Sequence, residues 1–207
     1  MYILAPVQSI SMKITILFIA GTLFIASCSK KAESVIDQPV TPLASQYTTY
    51  LIRQGQHFSD NTAYKPVSVS EMKFLARFDS SAVYHSSNPV NQYDINKLYG
   101  FSDNGTDHHQ FSARIGWRWS DGALRLFAYV YNEGVVSSKE ITTVNIGAEV
   151  SCSIKASGSR YIFSVNEHVV EVLRLGKTLK GEGYQLYPYF GGDEPAPHEI
   201  RIQIKQL

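Results

Sequence analysis

From Tyr47 to the C-terminus, apolar residues recur at every second position in segments bounded by Gly, Asn, Asp and Pro, and no stretch of useful length carries the helical period. A chain patterned this way buries its apolar face only as strands. The pattern predicts strands at 47–56, 71–79, 94–100, 110–119, 123–132, 134–143, 147–156, 160–166, 168–174, 183–190 and 197–206. Turn chemistry separates them at Asp121-Gly122, Asn132-Glu133-Gly134, Ser157-Gly158-Ser159 and Asn166-Glu167. Short strands joined largely by hairpins predict an all-β domain over residues 47–207, with two antiparallel sheets packed face to face.

The alternation also sorts faces. Phe111, Ala113, Ile115, Trp117 and Trp119 fall on one side of their strand, with Ser112, Arg114, Gly116 and Arg118 on the other. The next strand sets Leu124, Leu126, Ala128 and Val130 against Arg125, Phe127, Tyr129 and Tyr131. That second face is too aromatic to be plain solvent-facing surface. Tyr187 and Tyr189 alternate in the same way near the end of the chain, and Arg114 and Arg118 stand about 13 Å apart at the usual strand rise.

The N-terminus carries an address. Met12-Lys13 precedes an apolar run from Ile14 to Ile25, followed by Ala26-Ser27-Cys28, the charged, apolar and small-residue regions of a secretory signal. A run of about a dozen residues is shorter than the roughly 20 a membrane span needs. Ile25-Ala26-Ser27-Cys28 resembles the lipobox of bacterial lipoproteins, which implies cleavage before Cys28 and lipidation, palmitate included, of its thiol. Residues 1–27 are then a signal peptide, with 1–11 an over-long start and Met12 the true one, and 28–46 form a flexible stalk bearing Pro39 and Pro42. Lys13 is the one charge removed, so 18 basic and 18 acidic residues remain. Ser29 in place of Asp implies passage to the outer membrane by resemblance to lipoprotein sorting, with the cell surface as a further destination.

Near-neutral charge and scattered basic residues argue against nucleic acid as a partner. Three places collect reactive groups. Asp103, Asn104 and Asp107 form an oxygen-rich loop that could hold Ca²⁺ but also reads as ordinary turn chemistry. The neighbouring His108 and His109, on an extended segment, would point opposite ways and make no zinc site alone. Tyr189, Glu194 and His198 lie in or beside a Gly-Gly and Pro-bearing run and are the candidates for acid/base work, with capping as the alternative for Glu194. Arg114 and Arg118 offer guanidinium forks for a carboxylate or sulfate. Cys152 alternates with Val150 and Ile154 and reads as a buried free thiol. No cofactor is expected.

The hairpin-linked strands, the lipobox and the closing run from Tyr184 to His198 together resemble the concanavalin A-like lectin/glucanase jelly rolls of surface lipoproteins in polysaccharide-degrading bacteria. The resemblance implies a jelly-roll β-sandwich. Its catalytic motifs are missing: there is no Glu-x-Asp-x-x-Glu strand for a retaining glucanase, no Gln-x-His strand of the alginate lyases, and Tyr189-Phe190-Gly191 has glycine where those lyases have lysine. The leading expectation is therefore a lipid-anchored envelope protein that binds a polysaccharide or oligosaccharide. Phe127, Tyr129, Tyr131, Tyr187 and Tyr189 would form its platform, and Arg114 and Arg118 would engage hydroxyls or a uronate. The alternatives are a polysaccharide lyase or glycoside hydrolase of the same fold, and a non-catalytic assembly lipoprotein whose partners are other envelope proteins.

Overall fold

A computed structural model describes residues 46–207. The signal segment, Cys28 and nearly all of the expected stalk lie outside the described residues. Twelve strands run in order: β1 (Thr48–Ile52), β2 (Pro66–Val69), β3 (Glu71–Phe78), β4 (Asn96–Ser102), β5 (Phe111–Ser120) and β6 (Ala123–Asn132), then β7 (Val135–Val144), β8 (Glu149–Ser157), β9 (Arg160–Val165), β10 (His168–Leu173), β11 (Gly181–Leu186) and β12 (Ile200–Gln206). The helical elements among the described residues are two 3-10 turns, at Ser80–Ala82 and Pro89–Tyr93.

The strands form two six-stranded antiparallel sheets, ordered β1-β12-β3-β8-β9-β10 and β2-β11-β4-β5-β6-β7. Their inner faces are the apolar sets read from the alternation. Ala113, Ile115 and Trp117 of β5, Leu124, Leu126, Ala128 and Val130 of β6, and Ile200 and Ile202 of β12 are all fully buried. Phe74 and Phe78 of β3 meet Tyr99 and Trp117 across the sandwich, with ring centroids 5.1 and 5.4 Å apart. Such aromatic pairs add about 1 kcal/mol each to what their buried area contributes. Cys152 is buried and unpaired, and burial pushes its thiol well above the ordinary range.

Two features depart from the sequence reading. β2 was not expected, because Pro66–Val69 lacks a full alternation and stands at a sheet edge, where proline is tolerated. The predicted strand 183–190 divides: its first part is β11, while Tyr189 bridges to both Phe58 and Lys97 outside the ladder.

Candidate functional site

The outer face of the second sheet carries the site. Pairing register aligns Gly100 of β4, Arg114 of β5, Tyr129 of β6 and Ser138 of β7 in one row across the strands. Gly100 matters because a Cβ there would sit 2.1 Å from Ala113 O, 2.7 Å from Arg114 Cα and 2.9 Å from Arg114 Cγ, so only glycine lets β4 lie this close to the β5 backbone and the arginine stem. Segments carrying Phe58, His108 and Tyr189 fold over this row and enclose a pocket of about 340 Å³. Arg114 lies at its base with 6% of its surface exposed.

Arg114 has no counter-charge. Its Nε is buried without a hydrogen-bond partner among the described residues. The titratable groups around it include Tyr129, Tyr131, Tyr184 and Tyr189, together with Lys97 and His108, and none of these is a carboxylate. Burial pulls its pKa down, yet a guanidinium stays protonated at any physiological pH. Its guanidinium carbon stands 5.5 Å from the Tyr129 ring centroid, a cation–π contact.

Lys97 supplies a second cation. Its Nζ donates to the Gly191 carbonyl at 2.9 Å and sits 5.0 Å from the Tyr129 ring centroid. Burial, and then the neighbouring Arg114, lowers its pKa to about 8, against an opposing pull from Asp94. The sequence lacks a lysine at position 191, but an ammonium from β4 stands beside that residue all the same. Tyr189 is clamped by two backbone hydrogen bonds to Lys97, and its ring stacks on His57 at 5.3 Å and meets Phe58 edge-on at 5.5 Å. Tyr129 remains a phenol: burial and the adjoining Tyr131 push its pKa up to about 12.

Two shallower depressions adjoin the pocket. One runs past His108, Arg114 and Tyr189 to Leu186 and Tyr187. The other runs past Lys97, Tyr129 and Gly192 to Tyr93, Asp94 and Ser138. The result is a groove with two central cations.

The structure brings Arg114, Tyr129, Tyr131 and Tyr189 to one pocket and separates the remaining candidates from them. Arg118 packs over the Phe127 ring at 4.8 Å and donates to Tyr93 O and Ser120 Oγ, so both its fork and the 5%-exposed Phe127 are engaged in packing. Tyr187 packs against Tyr50 and Tyr99 at the sandwich edge and donates its hydroxyl to Ala63 O, reaching only one adjoining depression. Glu194 accepts hydrogen bonds from Asn88 N, Ser87 N and Asn91 Nδ2, which hold its pKa below the usual range in a capping role. His198 bonds Ser81 O through Nε2, away from the pocket. Asp103, the central oxygen of the Ca²⁺ reading, is turned inward onto Arg174 at 2.7 Å and also accepts from Tyr161 and Glu182 N. Asn104 occupies a positive-φ turn and accepts from Lys177 N.

His108 and His109 correct the sequence reading in the other direction. They lie on a turn instead of an extended segment, with Gln110 N and Phe111 N both donating to Asp107 O, so the two rings face each other at 4.1 Å.

No family model matches the chain, and no curated protein matches its sequence. Among solved structures, alginate lyase AlyC3 superposes with a TM-score of 0.51 at 8% identity, covering 77% of this chain and 72% of that one. The fold is a concanavalin A-like jelly roll. A glycoside hydrolase family 16 endo-glucanase from Bacteroides ovatus aligns over 79% of this chain and 81% of its own, at 7% identity and a TM-score of 0.49. The family 7 alginate lyase A1-II' aligns over 76% of each chain at 12% identity and a TM-score of 0.46. For this jelly roll the likeness establishes architecture, and its function has to be argued from the groove.

Proposed function

We propose that this protein binds an acidic polysaccharide in the groove centred on Arg114 and Lys97. The observation that carries the reading is the buried Arg114, whose Nε has no hydrogen-bond partner among the described residues and which has no carboxylate paired with it, with Lys97 as a second cation beside it. Burying a charge without a partner is costly, so a fold that keeps one in a pocket is built to receive the opposite charge from outside. The fork suits a uronate carboxylate or a sulfate ester in two-point contact, and Tyr129, Tyr131 and Tyr189 suit the C–H faces and hydroxyls of sugar rings. A groove extended on both sides of the pocket suits a polymer better than a monosaccharide. The jelly-roll neighbours include polysaccharide lyases, a likeness that agrees with this reading.

Titration calorimetry of the full chain against neutral and uronate-containing polysaccharides tests it. Binding restricted to the acidic polymers, and at least tenfold weaker for Arg114→Met, is the expected result. Equal binding of neutral polymers, or an unaffected Arg114→Met, would sink the proposal.

A second reading, lyase chemistry, is favoured by one observation: Arg114, Lys97, His108 and Tyr189 line a single pocket, with Lys97 titrating near pH 8. That set includes a cation for a uronate carboxylate and groups able to move a proton. The ultraviolet absorbance of unsaturated uronate, appearing on incubation with substrate and lost in Lys97→Met, would separate catalysis from binding.

The membrane address belongs to the same proposal. Lipidation at Cys28 would tether the domain to the outer membrane, and Cys28→Ser should release it and abolish fatty-acid labelling. Labelling that persists in the variant would refute the anchor.

A further inference from the structure

The turn at the pocket rim holds a second group of ligand atoms. His108 Nδ1 lies 3.7 Å from Asp107 Oδ2, and His109 Nδ1 lies 3.5 Å from Asp107 Oδ1. The carboxylate and the two imidazole donors all fall within 4.8 Å of one another. A tetrahedral Zn²⁺ with bonds of about 2.0–2.2 Å spaces its ligand atoms about 3.3–3.5 Å apart; the two imidazoles each approach a different oxygen of Asp107 at close to that spacing, and the widest donor separation, within 4.8 Å, would have to close by side-chain rotation on binding. The Tyr184 hydroxyl, 2.9 Å from His108 Nδ1 and 3.4 Å from Asp107 Oδ2, stands within reach as a fourth oxygen.

We propose that Asp107, His108 and His109 form a binding site for a first-row divalent metal ion of the zinc type at the rim of the groove. Two imidazoles and one carboxylate are a donor set for Zn²⁺, Cu²⁺ or Ni²⁺, whereas Ca²⁺ takes six to eight oxygens. The turn sets the two imidazole rings 4.1 Å apart, centroid to centroid, on the same side of the chain as the Asp107 carboxylate. Because His108 and His109 also line the pocket, the bound metal would add positive charge against the same anionic ligand.

The experiment uses the untagged full chain, stripped with EDTA and titrated in the absence of any glycan, so that it stands or falls separately from the polysaccharide reading. Zn²⁺ should bind with one equivalent per chain, Ca²⁺ should bind far more weakly, and Co²⁺ should give visible absorption bands of a nitrogen- and oxygen-ligated ion. His109 is largely exposed, so His109→Ala should fold normally by near-ultraviolet circular dichroism and bind Zn²⁺ at least tenfold more weakly. Zn²⁺ uptake that is absent, matched by Ca²⁺, or unchanged in both His109→Ala and His108→Ala would overturn the assignment.

Discussion

Arg114 carries a positive charge into a place from which its own burial excludes water, and nothing among the described residues neutralises it. Such a residue works against folding and for binding, so the two effects separate on substitution. Arg114→Met keeps the volume and removes the charge. Thermal unfolding should show stability unchanged or raised, on the order of 1 kcal/mol, while affinity for an acidic polymer falls. Lys97 makes the pH dependence. Below about pH 8 it is an ammonium that attracts an anion, and above that value it is neutral, so affinity should decline as pH rises through about 8. A binding curve across that range that stays flat would show that Lys97 does not face the ligand's charge.

At the scale of elements, a single irregularity in β4 builds the pocket. Lys97 pairs with outer-face Gly116, whereas Tyr99, two residues on, pairs with core-face Ile115. The bulge between them places on opposite faces two residues that strict alternation would put on one. A few residues later Gly100 keeps space for the arginine stem, and Gly191, at φ +79°, turns the covering segment past Lys97. Gly100→Ala should therefore cost about 1–3 kcal/mol and displace Arg114. Denaturant unfolding together with glycan titration would check both, since a loss of stability with binding retained would mean that the arginine does not depend on this glycine.

At the scale of the whole molecule, a buried ion pair ties the sheets together at one end. Asp103 follows β4 of the second sheet, and its partners Tyr161 on β9 and Arg174 just after β10 belong to the first. Leaving Arg174 buried without its carboxylate in Asp103→Ala should cost about 3–5 kcal/mol. Burial raises the Asp103 pKa, but hydrogen bonds from Arg174, Tyr161 and the backbone outweigh it and hold the group below 3.8. Its folded pKa thus lies below its unfolded one, so its contribution to stability is complete above about pH 4 and is lost as pH falls through the lowered value. Acid titration followed by circular dichroism should show this loss in the wild type, with a weaker slope in Asp103→Asn.

Period two alone determined the class of fold, the inner faces of β5 and β6, and the rows of Arg114, Tyr129 and Tyr131, because strand geometry turns alternation directly into sidedness. It could not assign Lys97, since a bulge is a defect in that same alternation and leaves no local composition signal. Nor could it separate Arg114 from Arg118, which occupy equivalent positions on one strand. Only tertiary structure leaves the first beneath an open pocket and closes Tyr93 and Phe127 around the second. His108 and His109 make the same point: adjacent side chains diverge on a strand and converge on a turn, and the choice rests on hydrogen bonds to Asp107 that form only when the loop closes.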